Sequence, residues 1–113
     1  MEILCHCGNI GIEVDPPNQV TVCNCSICSR YQALWGYYKP EQVSIETGDA
    51  GEDYYIWGDK ELEFVRCAEC GCVTHYRVVA GLPDSKIAVN FRLAPFDAIS
   101  SIPVRYFNGK DSL

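Results

Sequence analysis

Eight cysteines gathered into three tight groups constrain this 113-residue chain more than any other feature. The groups are Cys5-His6-Cys7-Gly8, Cys23-Asn24-Cys25-Ser26-Ile27-Cys28 and Cys67-Ala68-Glu69-Cys70-Gly71-Cys72. Such a content fits either a disulfide framework or thiolate metal sites. Disulfides between neighbours this close are strained, because the bond needs a Cα separation and orientation that short loops rarely supply. A metal needs the opposite, several sulfurs converging from adjacent turns. Two groups carry Cys-Gly, where glycine lets the chain turn with φ > 0 and aim backbone N–H groups at the sulfurs. The start, Met1-Glu2-Ile3-Leu4-Cys5, has no basic region, long apolar run or small-residue cleavage site, so a cytoplasmic setting with reduced thiols is expected. Metal sites are the expected reading. Ligation by sulfur alone, without a haem or ferredoxin-type run, favours Zn²⁺, with iron as the alternative.

Ligand counting then divides the cysteines. A structural zinc is closed by four ligands, and two knuckles of two cysteines each supply that number. Cys5, Cys7, Cys67 and Cys70 are expected to form a Cys₄ site tying the N-terminus to the second half of the chain. Cys23, Cys25 and Cys28 remain, with no fourth partner nearby. Three protein ligands with an open position is the pattern of a reactive zinc, able to take water or a substrate sulfur. The rival is one Cys₄ zinc plus a redox-active C-x-x-C made by Cys25 and Cys28. Cys72 reads as a small packing residue, and the ring of His6 as pointing away from the ligands on either side of it. His75 lies in the strand-like run Val73–Arg77 and is either structural or a wall of the open site.

Outside the cysteines the chain reads as strands. Ile10, Ile12 and Val14 alternate, as do Val20 and Val22, Val43 and Ile45, Tyr54 and Ile56, and Ile87, Val89 and Phe91. Turn signals separate them at Asp15–Asn18, Thr47–Gly51, Gly58–Lys60 and Gly81–Asp84. Only Ser26–Leu34 and Pro95–Ser101 suit short helices. A mainly β protein of short antiparallel strands is expected, as a single domain over residues 1–113. The acidic stretches Glu46–Asp53 and Asp59–Glu63 read as solvated loop faces. No apolar run approaches the roughly 18 residues a bilayer-spanning helix needs. A net charge of −6, with basic residues scattered rather than clustered, gives no footprint for nucleic acid.

The three cysteine groups, read with Val22 before the second, Gly36 after it, Phe64 before the third and Val89-Asn90 late in the chain, resemble the glutathione-dependent formaldehyde-activating (GFA) family, which includes centromere protein V. The resemblance covers nearly the whole chain. It implies a β-tent fold of short antiparallel strands stapled by a Cys₄ zinc. Cys5, Cys7, Cys67 and Cys70 match the family's structural zinc, and Cys23, Cys25 and Cys28 its second, catalytic zinc. The chemistry it implies is that of a carbon–sulfur lyase: glutathione adds to formaldehyde to give S-hydroxymethylglutathione.

A free thiol is mostly protonated at pH 7, whereas the thiolate is the nucleophile, so an open Zn²⁺ that lowers the thiol pKa suits that reaction. Arg30, two residues after Cys28, is the candidate partner for substrate carboxylates, with Lys39 behind it. Trp35 and Tyr37 are candidate pocket walls, and Tyr37, Tyr38 and His75 are candidates for proton transfer. Two functions stay open: an S-(hydroxymethyl)glutathione synthase-like enzyme acting on a small thiol, or a non-catalytic zinc-binding interaction module with a vestigial second metal.

Overall fold

The structure, a computed structural model, describes residues 1–57, 61–79 and 85–112. The alternating apolar positions form strands as expected. β1 (Glu2–Leu4), β2 (Ile10–Glu13) and β5 (Ser44–Thr47) make a three-stranded antiparallel sheet in the order β1-β2-β5. A seven-stranded sheet holds β3 (Val20–Cys23), β4 (Trp35–Tyr38), β6 (Glu52–Trp57), β7 (Leu62–Cys67), β8 (Val73–Val78), β9 (Ile87–Asn90) and β10 (Val104–Phe107). Its order is β10-β3-β4-β9-β8-β7-β6. All pairings are antiparallel except one: β10 runs parallel to β3, Val104 beside Val20 and Phe107 beside Cys23. The mainly β fold of antiparallel strands is as expected, and this one parallel pairing adds to it; pairing 84 residues apart leaves no local pattern in the sequence.

The two short helices fall where expected, α1 at Ser26–Tyr31 and α2 at Phe96–Ile99, and a last turn, α3, spans Gly109–Ser112. The expected turns at Gly58–Lys60 and Gly81–Asp84 lie outside the described residues. Val89-Asn90 closes β9, and Phe91 begins a 3₁₀ turn. The buried Asn90 makes that stop: its Oδ1 accepts from Leu34 N and Arg92 N, and its Nδ2 donates to the Val73 carbonyl.

Side chains alternate across a pleated sheet, so the large sheet has two separate cores. One face carries Val20, Val65, His75 and Val89. With Leu34 and Phe91, Val20 and Val89 pack against Ile3, Ile10 and Ile12 of the small sheet, together with Cys5 and Cys67. Each of those aliphatic side chains is buried almost completely, a contribution of about 1.5–3 kcal/mol apiece. The opposite face carries Cys23, Trp35, Phe64, Tyr76 and Ala88, packed with Cys25, Cys28 and Tyr31 from the α1 segment. The first and third cysteine groups thus belong to one core and the second group to the other.

The acidic stretches are loops only in part: Asp49 lies in the turn between β5 and β6, and Asp59 falls outside the described residues. Glu46 lies on β5, Glu52 and Asp53 on β6, and Glu63 on β7. Glu52 and Glu63 converge on Arg77 of β8, at 3.0 Å from Nη1 and 2.9 Å from Nε. Cross-strand register, which composition does not report, makes this three-residue ion network.

Candidate metal centres

In the first group, two matching turns place four sulfurs together. Gly8 N–H donates to the Cys5 carbonyl and Gly71 N–H to the Cys67 carbonyl, each at 3.0 Å, and both glycines have positive φ, +84° and +78°. Only that backbone lets Cys7 and Cys70 curl back over Cys5 and Cys67. The sulfurs of Cys5 and Cys7 are 3.8 Å apart and those of Cys7 and Cys67 3.6 Å. Four thiolates at 2.3 Å from a tetrahedral ion would stand about 3.8 Å apart. The donor set therefore fits a closed four-sulfur site.

Donors surround these sulfurs. Ile10 N–H points at Cys5 Sγ at 3.2 Å. Cys67 Sγ receives Glu69 N–H at 3.3 Å, Cys70 N–H at 3.5 Å and Asn9 Nδ2 at 3.5 Å. The N–H of Cys70 is the first cause holding the Cys67 thiol below its usual value. The backbone N–H groups of Cys72 and Cys7 bring Cys70 down to about 5. Such a cage favours thiolates, the form a metal binds. Cys72 packs half-buried against the first core and belongs to neither sulfur group. His6 is exposed, in keeping with the expected outward ring.

The second group lies on the other face. Cys23 ends β3, Cys25 is the N-cap of α1 and Cys28 sits in its first turn. All three are buried and their sulfurs lie within 4.8 Å of one another. Cys28 N–H caps on Cys25 Sγ at 3.4 Å. Burial works against a Cys25 thiolate, yet the N–H groups of Cys28 and Ile27 bring its pKa down. Burial pushes Cys23 and Cys28 up. Three cysteine sulfurs, with no His, Asp or Glu of the described residues completing them, can hold a metal that keeps a position for another ligand.

Aromatic rings wall this second site. Trp35 stacks edge-on against Tyr76 with centroids 4.9 Å apart, and Phe64 lies 5.3 Å from Tyr76. Trp35 is 1% exposed and its Nε1–H donates to Cys28 Sγ at 3.3 Å, so it supports the cluster from behind. A hydrogen bond of this kind to a metal ligand is worth about 10- to 100-fold in metal affinity. Trp35→Phe removes the donor and keeps an aromatic ring in the wall, at some cost in packing because the ring is smaller. It is expected to weaken metal binding at this site by that factor, measured by chelator competition with added Zn²⁺, with the first site unchanged; equal weakening of both sites would mean that the fold had loosened instead.

The remaining expected residues divide. Tyr37 is 42% exposed and its phenol faces Tyr76 beside the sulfurs. Arg30 is exposed and folds its Nη1 back onto the Ser26 carbonyl at 2.7 Å, at the start of α1. Tyr38 turns away, donating to the Asp15 carbonyl at 2.6 Å. His75 is structural: it is 1% exposed on the face opposite the second site, with Nδ1 2.8 Å from Thr74 Oγ1. Burial lowers its pKa to about 4, so it is neutral at pH 7. Tyr76 is the wall residue that sequence reasoning missed; its cue is its place one residue after buried His75, which puts it on the cysteine face.

Comparison with known proteins agrees with this layout. A model of the family described as glutathione-dependent formaldehyde-activating enzyme matches residues 1–98. A search of curated protein sequences finds no match. A crystal structure of a Rhodobacter sphaeroides protein superposes with a TM-score of 0.73 at 24% identity, covering 92% of this chain and 99% of that one. That likeness bears on the fold, whereas the family match spans both cysteine groups. The chain belongs to the glutathione-dependent formaldehyde-activating enzyme family.

Proposed function

We propose that residues 1–113 form one GFA-type domain with two zinc sites of unequal role: Cys5, Cys7, Cys67 and Cys70 hold the fold, and Cys23, Cys25 and Cys28 present a reactive ion. The observation that carries this reading is the asymmetry of the two groups, four sulfurs in a closed cage against three beside an aromatic wall. At the second site a small thiol, glutathione in the family's case, adds to formaldehyde. Cys23, Cys25 and Cys28 would hold a Zn²⁺ there, which would supply the Lewis acidity that favours the thiolate form of a thiol.

The addition is a carbon–sulfur bond formation: sulfur bonds to the aldehyde carbon, the carbonyl π pair moves to oxygen, and that oxygen gains the proton the thiol gave up. The product is S-hydroxymethylglutathione, and the reverse reaction is that of a carbon–sulfur lyase. Tyr37 and Tyr76 suit the proton step. Burial raises both phenol pKa values, so each is a protonated donor at pH 7, and Tyr37 reaches solvent. The buried aromatic wall excludes water from the sulfur side. The thiol-based chemistry suits a cytoplasmic setting, and no described helix is long and apolar enough to cross a membrane.

The test compares the protein carrying both ions with Cys25→Ser. The native chain is expected to bind two zinc ions and to accelerate formaldehyde consumption by glutathione beyond the buffer reaction. Cys25→Ser is expected to stay folded, retain one ion and lose the acceleration. A native rate equal to buffer, with two ions bound, would favour a zinc-stabilised interaction module without catalysis.

A further inference from the structure

The strand that completes the second site lies beyond the region matched by the family model, which ends at residue 98. β10 pairs with β3 in parallel, Arg105 beside Thr21 and Phe107 beside Cys23. Paired residues, and residues two apart on a strand, share one face of a pleated sheet. Thr21 is also paired with Trp35, and Tyr37, two residues on, is paired with Ala88. Arg105, Phe107, Cys23, Trp35 and Tyr37 therefore all lie on the cysteine face.

Their placement is fixed by contacts. Arg105 Nε donates to the buried Thr21 Oγ1 at 3.2 Å, and its guanidinium carbon lies 5.4 Å from the centre of the Phe107 ring. Lys86 Nζ lies 5.2 Å from the centre of the Tyr37 ring. The Tyr37 phenol feels the Arg105 charge together with the Cys28 and Cys23 sulfurs, which brings cation, phenol and sulfurs into one electrostatic neighbourhood. The end of the chain also clasps the cysteine loop. Asn24, between two of the cysteines, donates through Nδ2 to Asn108 Oδ1 at 3.0 Å and accepts Lys110 N–H at 2.8 Å.

Both cations are exposed, and no carboxylate of the described residues lies within ion-pair distance of either. In a chain of net charge −6, Arg77 alone of the described Lys and Arg side chains pairs with a described carboxylate, so Arg105 and Lys86 are set apart by their place beside β3 and Tyr37. A chain so charged repels anions in general, so an anionic ligand needs local cations at its docking point.

We propose that Arg105 and Lys86 form an anion subsite beside the three-cysteine centre, which selects small thiols carrying carboxylates over neutral thiols. This rests on the reading of that centre as a thiol site and names the residues that set its choice. Arg105 replaces Arg30 as the main charge partner, since the Arg30 guanidinium is turned onto its own helix. Arg105 is supplied by the C-terminal strand, so β10 is part of the site.

The experiment titrates the two-zinc protein with glutathione and with glutathione diethyl ester, the same thiol with its carboxylates masked. Native protein is expected to bind glutathione at least about tenfold tighter than the diester, one charge contact being worth a factor of that order. Arg105→Gln is expected to weaken glutathione about tenfold and the diester hardly at all, with Arg105→Lys falling between, and Lys86→Gln to act in the same direction. Equal binding of glutathione and diester by the native protein would overturn the subsite and leave the thiol reading standing. Equal loss for both thiols in Arg105→Gln would show that Arg105 only holds β10 in place, and would also overturn it. Failure of both thiols to bind would overturn the thiol reading and the subsite together.

Discussion

Replacing Cys70 by serine is expected to abolish cooperative folding at 25 °C, whereas Cys25→Ser leaves it intact. The four-sulfur site joins the turn after β1 to the turn after β7, segments about 60 residues apart, and its sulfurs lie against the first core. Cys5 and Cys67 are 3% and 1% exposed and pack among Ile3, Ile10 and Val89. Structural zinc supplies about 10–16 kcal/mol of binding free energy in small domains. The net stability of a domain is about 5–15 kcal/mol, so a crippled site removes most or all of it. Serine substitutes a hard oxygen for sulfur and leaves the N–H groups of Cys72 and Cys7 aimed at a poorer acceptor. The measurement is a circular dichroism melt with metal analysis. Cys70→Ser, and native protein stripped by a strong chelator, should both lack a sharp transition; a native-like melt for Cys70→Ser would show that the apolar core alone suffices. The contrast with Cys25→Ser follows from placement. The three sulfurs of its group come from six consecutive residues, the end of β3 and the first turn of α1, so a metal there would cross-link no distant segments.

How much of this was legible in the sequence depends on how local each feature is. The two knuckles were legible because Cys-x-Cys-Gly and Cys-x-x-Cys-Gly each complete a turn within five residues, and ligand counting then separates four from three. The strands were legible wherever one face is buried, as at Ile10, Ile12 and Val14. Register was not. Whether Trp35 opens onto a ligand or backs the cysteines depends on Thr21 on one side and Asn90 on the other, both paired with it across the sheet. The same holds for Glu52 and Glu63, which look like solvated acids until β6, β7 and β8 are aligned and Arg77 appears between them. Arg105 is the extreme case. Nothing near residue 105 indicates that the strand will lie parallel to β3, and only that pairing brings its side chain to the cysteine face. Nearest-neighbour chemistry reads through to the cysteine clusters that could hold metal, and long-range pairing decides the groups around them.

Gly36→Ala tests that long-range geometry at its tightest point and is expected to cost about 3 kcal/mol, the upper part of the range for overfilling a packed core. Gly36 sits in the middle of β4 between Trp35 and Tyr37, paired with Val89. A Cβ there would stand 2.3 Å from Cε2 and 2.9 Å from Cδ2 of Phe91. The backbone itself accepts alanine, since Gly36 is not among the positive-φ glycines, so the penalty is steric. Phe91 cannot swing aside cheaply: it is fully buried and follows Asn90, whose three hydrogen bonds fix the end of β9. The ring must move into Tyr38, whose centroid is 6.3 Å away, or β4 must lift from the sheet and carry Trp35 off Cys28. The expected melt is lower by more than about 10 °C for a domain of this size. Phe91→Leu alone leaves a cavity and also destabilises, but it vacates the space that the new methyl needs. The double variant should therefore be less destabilised than the sum of the two single changes, with a coupling of about 1–2 kcal/mol in a double-mutant cycle. Additive losses would mean that β4 shifts as a unit, and the affinity of the three-cysteine site for Zn²⁺ should then fall in step with stability.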